Sequence, residues 1–193
     1  MCAMKEQTYN LSISQAVKAL QAGEVIAYPT ESCFGLGCDP NNSAAIETII
    51  QLKARSVHKG LILIAATVAQ AMEYVELEQS PLQQEIHESW PGPNTWLLPA
   101  RPTVLPLLKG EFPLLAIRVT AHPVAKHICA GFGGAIVSTS ANVSGQAALL
   151  NAADIEATFA TSINILTIVS GAIGNDTKPS TIRDGLTGEI LRQ

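Results

Sequence analysis

Lys53, Arg55 and Lys59 fall within the seven residues KARSVHK, and the carboxylate nearest to them in sequence is Glu47. After Lys59 the next Lys or Arg is Arg101. A guanidinium beside ammonium groups is the chemistry that holds phosphate or carboxylate, Arg through forked hydrogen bonds and Lys as a mobile point charge. In extended chain, Lys53 and Arg55 point to one side, because alternate side chains share a face. The same stretch also suits a solvated helix end, where cations complement the helix dipole.

Other segments carry polar groups at useful spacing. Ser138-Thr139-Ser140-Ala141-Asn142-Val143-Ser144-Gly145 reads as a hydroxyl-rich loop. In extended chain Ser140 and Asn142 face the same way and offer a hydroxyl and an amide to one ligand, although a helix cap or Asx turn uses the same residues. No G-x-S-x-G is present, which argues against a serine hydrolase. Pro29-Thr30-Glu31-Ser32-Cys33-Phe34-Gly35-Leu36-Gly37 reads as a loop whose two glycines permit unusual backbone angles or close approach of a ligand. It is not a dinucleotide fingerprint, since the third glycine is missing and Pro40 interrupts the expected helix start. Arg118 sits inside a strand pattern, where a charge requires an edge position, a salt-bridge partner or a ligand.

The elements that must position these groups alternate. Residues 12–22 read as an amphipathic helix with Ser12 or Ser14 as N-cap, Ile13, Ala16, Val17 and Leu20 on one face, and Gly23 closing it. Val25–Tyr28 reads as a buried strand. Asn42 or Ser43 caps a helix with Ile46, Ile49, Ile50 and Lys53 at helical spacing, and this helix delivers the cationic stretch. Leu61–Ala65 reads as a strand, 67–74 and 81–89 as helices, and Thr95–Leu98 and Leu114–Val119 as strands separated by a proline-rich loop. A helix from His122 or Pro123 to about Ala130, a strand over Ala135–Val137, a helix over 151–160 and a strand over 165–169 follow. Pro179–Asp184 and Glu189–Arg192 close the chain as a hairpin around Gly185–Gly188. Helices alternating with strands, with hairpins among them, predict an α/β domain on a mixed sheet.

Composition narrows the function classes. The 193 residues are 47% apolar and 15% charged, enough for one sizeable core and one domain. No run reaches the roughly 18 apolar residues of a membrane span and the first ten residues lack the apolar region of a signal peptide, so a soluble cytoplasmic protein is expected. Cys2, Cys33, Cys38 and Cys129 form no C-x-x-C pair, and the spacing of His122 and His127 suits no single helical face; reduced thiols and no resident metal are expected. Cys33 reads as a buried small hydrophobe rather than a reactive thiol. The net charge of −4 argues against a protein that coats nucleic acid. Glu73, Glu76, Glu78, Glu85 and Glu88 contribute five of the negative charges, so the remainder carries −4 + 5 = +1 and leaves room for a positive cleft.

Taken together, Tyr28-Pro29-Thr30-Glu31 with Phe34-Gly35-Leu36-Gly37, Lys53-x-Arg55 with Lys59, Trp90-Pro91-Gly92-Pro93 with Thr95, Ile117-Arg118-Val119 with His122-Pro123, Ser138-Thr139-Ser140-Ala141-Asn142 with Ser144-Gly145, and Pro179-Ser180-Thr181-Ile182 resemble the YrdC/TsaC family. The resemblance runs from about residue 12 to residue 192. It implies a tail over 1–11 and a YrdC-like domain over 12–193, an open, twisted mixed sheet with a positively charged concave face. The implied activity is that of a nucleotidyltransferase, a threonylcarbamoyl-AMP synthase. It joins L-threonine, bicarbonate and ATP, releases pyrophosphate and feeds threonylcarbamoyl-adenosine modification of tRNA.

By the same resemblance Lys53 and Arg55 are catalytic. Lys53, Arg55, Lys59, Ser140, Asn142 and Arg192 bind ATP, and Thr30, Arg118 and Ser180 bind threonine. Mg²⁺ arrives with ATP, weak tRNA contact is compatible with the cleft, and TsaD, TsaB and TsaE-type proteins are the implied partners. Ser56, where the family usually has proline, and Cys33, where a small or hydroxyl residue is commoner, depart from the pattern. The rival is a non-catalytic double-stranded RNA or tRNA-binding protein using the same basic cleft, for which phosphate contacts would explain the cations equally well. A carbamoyl-adenylate module of hydrogenase maturation proteins is a third reading, but the zinc-finger and acylphosphatase parts usual in such chains are missing.

Overall fold

The computed structural model describes residues 13–159, 166–176 and 178–193. Helix α1 covers 13–21; of its two expected caps, Ser12 lies outside the described residues and Ser14 lies within the helix. Ala16 and Leu20 are buried, and Gly23 closes the turn at φ +79°. Strands β1 (Val25–Pro29) and β2 (Phe34–Gly37) follow as an antiparallel hairpin. The expected loop over 29–37 therefore shrinks to its first residues. The glycines are needed by the strands: a Cβ on Gly37 would lie 2.7 Å from the Val137 carbonyl and 2.8 Å from the Tyr28 ring. They admit close packing of the Tyr28 ring and of the Val137 and Thr139 carbonyls.

Helix α2 (Ser43–Leu52) starts where Asn42 Oδ1 accepts from the Ala45 amide at 3.1 Å and buries Ala45, Ile46, Ile49 and Ile50. It ends at Lys53, an αR C-cap, and Ala54 then turns left-handed at φ +46°. The cationic stretch is thus not extended. It breaks at Ala54 and continues as a 3₁₀ turn, Val57–Lys59, capped by Ser56. Strand β3 (Ile62–Ala65), helices α3 (Val68–Met72) and α4 (Gln83–Ser89) and strand β4 (Asn94–Pro99) come next. The proline-rich connection contains a short helix, α5 (Pro106–Lys109), which Pro106 starts at its first position. It leads to β5 (Leu114–Val119), α6 (Pro123–Phe132) and β6 (Ile136–Ser140). Ser138, Thr139 and Ser140 are therefore strand residues, not loop. Helix α7 (Ala152–Phe159), β7 (Leu166–Ile168) and the hairpin β8 (Thr181–Asp184)–β9 (Ile190–Arg192) complete the described chain.

Among the described residues the strands form one nine-stranded mixed sheet in the order β7-β1-β2-β6-β3-β5-β4-β8-β9. Its register explains where a cleft can form. Ile62 pairs with Ser138 on one side and Ala116 on the other, Ile64 pairs with Arg118, and Leu97 pairs with Ala116. Tyr28 pairs with Gly35, Gly35 with Ser140, and Ile182 with Arg192. Because side chains alternate, these residues share one face and their neighbours Leu36, Leu63, Leu98, Ile117 and Val137 share the other.

That second face is largely apolar, although Thr139 pairs there with Leu36 and Arg183 with Trp96, and it carries the larger core, which also takes in α2 and α7 residues. On the first face α1 and α6 cover Ile26, Tyr28, Ile64 and Ile136, with the partly buried Ile62 packed against them. From Ser138 across to Arg192 the same face has no helix over it in that cluster, and Ser140, Arg118 and Arg192 stand there beside the apolar Ala116, Leu97 and Ile182.

Candidate functional site

The uncovered stretch of sheet forms a cleft of about 350 Å³ whose charged lining residues are Arg55, Arg118 and Arg192, with no carboxylate among them. Hydroxyl and amide groups of Thr30, Ser140, Asn142 and Ser180 also line it. The three guanidiniums come from three places: the turn after α2, the middle of β5 and the end of β9. Burial holds the Arg192 guanidinium below its ordinary pKa, and the charges of Arg118 and Arg55 add to this. Burial does the same to Arg55. Three like charges held together in partial burial repel one another, and an anion in the cleft relieves that repulsion.

Each guanidinium is aimed by the protein. Arg118, 7% exposed, meets Glu31 across the face: Arg118 Nη2 lies 3.0 Å from Glu31 Oε2. Glu31 Oε1 accepts from Thr120 Oγ1 at 2.7 Å and from the Ala121 amide at 3.2 Å. Burial pushes the Glu31 carboxyl up, but Arg118 and the Thr120 hydroxyl outweigh it and its pKa lies below the ordinary value. β5 is flanked by β3 and β4, so of the explanations open for a charge inside this strand, the edge position is excluded. Salt-bridge partner and cleft position hold together. Arg192 Nη2 donates to the Ser180 carbonyl at 2.9 Å and to Ser180 Oγ at 3.2 Å, and Ser180 Oγ is in turn 2.9 Å from Thr95 Oγ1. Arg55 Nη2 donates to the carbonyls of Gly60 at 3.0 Å and Lys59 at 3.2 Å. The Nε atoms of Arg55 and Arg118 are buried with no protein acceptor. Buried donors without acceptors are costly, so both guanidiniums are held in place at an energetic cost.

Lys53 stands apart from the arginines. It is 2% exposed and does not line the cleft. Its ammonium donates to the carbonyl of Ser140, to the carbonyl of Asn142 at 3.0 Å and to Asn142 Oδ1 at 2.8 Å, using all three N–H groups. Ser140 Oγ donates to the same Asn142 Oδ1 at 2.7 Å, and Asn142 Nδ2 donates to the Gln146 carbonyl at 2.7 Å. The side chains of Ser140 and Asn142 thus meet, across a bend at 141–142 and not in the extended chain expected from their spacing, on a strap tied down by Lys53. Burial pulls the Lys53 ammonium down to about 8, with Arg55 adding to the shift.

Of the residues assigned from sequence, Thr30, Arg55, Arg118, Ser140, Asn142, Ser180 and Arg192 line one cleft. Lys53 lies beneath it, and Lys59 lines an adjoining groove. Cys33 is half-buried on the cleft wall rather than buried in the core, whereas Cys38 and Cys129 are buried. Glu31 carries no role in the sequence reading, although its motif is quoted there, it follows Thr30 directly and Arg118 lacked a partner. Among the described residues no group of His, Cys, Asp and Glu is arranged to hold a metal, and no helix is long and apolar enough to cross a membrane.

A family profile named Sua5_yciO_yrdC, described as "Telomere recombination", matches residues 18–193. The chain is 47% identical over 184 residues to a protein of Aliivibrio fischeri named threonylcarbamoyl-AMP synthase, covering 94% of this chain and 98% of that one. A protein of Chromohalobacter salexigens with the same name is 46% identical over 94% of this chain and 96% of its own length. Among solved structures, P. abyssi Sua5 complexed with L-threonine superposes with a TM-score of 0.81 at 28% identity, over 89% of this chain and 50% of that one. This chain therefore spans about half the length of the P. abyssi protein. E. coli YciO shares the fold, with a TM-score of 0.81 over 94% of this chain and 88% of that one at 24% identity.

Proposed function

The chain belongs to the Sua5/YciO/YrdC family, and from that premise we propose that it is a threonylcarbamoyl-AMP synthase, a nucleotidyltransferase that makes L-threonylcarbamoyladenylate. The observation that carries the reading is the convergence of Arg55, Arg118 and Arg192 on one small polar cleft free of carboxylates. Such a cleft suits a polyanionic nucleoside triphosphate together with the carboxylate end of an amino acid. Its small-molecule size favours this over the rival in which an extended basic face binds RNA.

In the reaction the threonine amine takes up the carbon of bicarbonate with loss of water, giving a carbamate. A carbamate oxygen then forms a bond to the α-phosphorus of ATP as the bond to pyrophosphate breaks. Transfer of this kind is catalysed by positioning and by cations that neutralise phosphate charge. Arg55 and Arg192 neutralise the polyphosphate, with Ser140 and Asn142 as hydrogen-bonding groups beside it. Arg118, oriented by Glu31, pairs with the threonine carboxylate, while Thr30 and Ser180 supply hydroxyls. Lys53 belongs to the same machinery from beneath, since it holds the Ser140–Asn142 strap in place. Lys59 adds positive charge at the margin.

The cleft offers magnesium no carboxylate, so its residues do not fit a resident ion. Mg²⁺ enters as the companion of ATP and leaves with pyrophosphate. We place the work in the cytoplasm, where a separate TsaD-type transferase with TsaB and TsaE takes the product and modifies tRNA, with tRNA touching this chain only weakly.

Pyrophosphate release, measured with each substrate omitted in turn, tests the reading. Release is expected to require ATP, L-threonine and bicarbonate together. Equal turnover in decarbonated buffer would refute it, because ordinary amino-acid adenylation needs no bicarbonate. Incubation with tRNA and all three substrates should yield pyrophosphate without modified adenosine until the partners are added.

A further inference from the structure

The motif Trp90-Pro91-Gly92-Pro93 with Thr95 has no part in the function proposed above, yet the protein clamps it firmly. The Gly92 amide donates to the Val119 carbonyl at 2.9 Å, the Thr181 amide to the Pro93 carbonyl at 3.0 Å, and Trp90 Nε1 to the Asn94 carbonyl at 2.8 Å. β4 therefore starts in a fixed register, with Thr95 paired to Ile182 of β8 and Trp96 to Ile117 of β5. One step before the Trp96–Ile117 pair, the same antiparallel register sets Thr95 against Arg118. Thr95 is two residues from Leu97 and so shares the cleft face. It is fully buried and does not line the cleft, which keeps it out of contact with any substrate there.

What Thr95 touches is Ser180. Thr95 Oγ1 lies 2.9 Å from Ser180 Oγ, its one side-chain partner among the described residues. A hydroxyl has one hydrogen to donate and two lone pairs to accept with, so counting fixes the direction of this bond. With Ser180 as donor, the Thr95 hydrogen would be buried with nothing to accept it, and a stranded buried donor is costly. Thr95 is therefore the donor. Ser180 Oγ then accepts twice, from Thr95 and from Arg192 Nη2 at 3.2 Å. Its lone pairs are filled and its own hydrogen is uncommitted, on a side chain that lines the cleft. Donation into Ser180 from both sides also polarises its O–H.

Two other cleft hydroxyls are set the opposite way. Thr30 Oγ1 donates to the Cys33 carbonyl at 2.7 Å and Ser140 Oγ to Asn142 Oδ1 at 2.7 Å, so their hydrogens are spent inside the protein. Of these three, Ser180 alone keeps its hydrogen for an anionic oxygen. Resting on the function proposed above, we infer that Thr95 is a positioning residue for threonine binding. Through Ser180 it keeps a hydroxyl donor turned to the substrate carboxylate that Arg118, its neighbour across the sheet, holds by charge.

The test uses the full chain as wild type, Thr95→Val, Thr95→Ser, Ser180→Ala and the double variant Thr95→Val with Ser180→Ala. L-threonine affinity is read by calorimetry, and KM and kcat by pyrophosphate release. Thr95→Val keeps the branched shape and removes the hydroxyl. It should lower threonine affinity and raise the threonine KM about tenfold, with kcat and the ATP KM within about threefold of wild type. Thr95→Ser should restore threonine affinity to within about threefold of wild type. Because Thr95 acts through Ser180, Thr95→Val should cost no further affinity once Ser180→Ala is in place. A lowered melting temperature with an unchanged threonine KM, or an equal loss of affinity with and without Ser180, would overturn the inference and leave the enzymatic reading standing. Threonine binding by the wild type without pyrophosphate release would remove the enzymatic reading, and the affinity series would still decide the role of Thr95. Failure of the wild type to bind threonine would remove both.

Discussion

Lys53→Met isolates what the buried ammonium does. The wild-type group makes three hydrogen bonds from a position 2% exposed. Bonds from a charged donor contribute about 1.5–3 kcal/mol each, or roughly 4–9 kcal/mol for the three. Against this stands the penalty of keeping the ammonium charged away from water. A fall in pKa from 10.5 to about 8 corresponds to about 3.4 kcal/mol at 1.36 kcal/mol per unit. Methionine loses the bonds and escapes the penalty, leaving a net destabilisation on the order of 3 kcal/mol. For a chain of this size each kcal/mol moves the melting temperature by about 2–4 °C, so a drop of roughly 6–12 °C is expected.

Amide exchange should accelerate at the strap residues Asn142 to Gln146, which lose their anchor. Tripolyphosphate affinity should fall less than in Arg55→Ala, because Lys53 does not line the cleft. Calorimetry, thermal unfolding and exchange on the same samples decide the matter. Unchanged melting and exchange together with abolished polyphosphate binding would refute the reasoning and make Lys53 a direct phosphate ligand.

Titration of Lys53 gives a second expectation. Between about pH 8 and the unfolded value of about 10.5 the unfolded chain binds more protons than the folded one. Wild-type stability should therefore rise with pH relative to Lys53→Met across that window, and denaturation at the two ends should show this slope; a falling difference would contradict it. Arg55→Ala should lower turnover about 10²-fold or more while the melting temperature stays nearly constant; pyrophosphate release and thermal unfolding measured together would expose a merely structural role. Glu31→Gln leaves Arg118 buried without a carboxylate and should cost about 3–5 kcal/mol. The wild type should lose that contribution as pH falls below the ordinary carboxyl range through the depressed pKa of Glu31, and the variant, unfolded at a series of acid pH values, should show no such loss. Gly37→Ala puts a Cβ against the Val137 carbonyl and the Tyr28 ring and should destabilise by about 1–3 kcal/mol, read by urea unfolding; a neutral result would mean that β2 and β6 separate without cost.

Much of this molecule is determined locally and so can be read from the chain alone. Asn42 caps α2, Pro123 starts α6, Gly23 closes α1 and the Gly185–Gly188 turn forms its hairpin, because capping groups and glycine act within a few residues. Ser140 and Asn142 meet because the chain bends at Ala141 and Asn142 directly after β6, a local turn that brings side chains two residues apart together. Three things depended on the tertiary structure. The KARSVHK cations separate because Ala54 turns left-handed, sending Lys53 under the strap while Arg55 enters the cleft. A backbone reversal of that kind leaves no periodic trace in the residue types. The partnership of Glu31 with Arg118 spans 87 positions, since 118 − 31 = 87, and exists only because the loop after β1 reaches across the sheet to β5. The cleft itself is a gap in coverage: α1 and α6 shield one end of a sheet face and leave the rest open. Alternation along a strand tells which residues share a face, but which part of that face a helix covers is decided by packing between elements far apart in sequence.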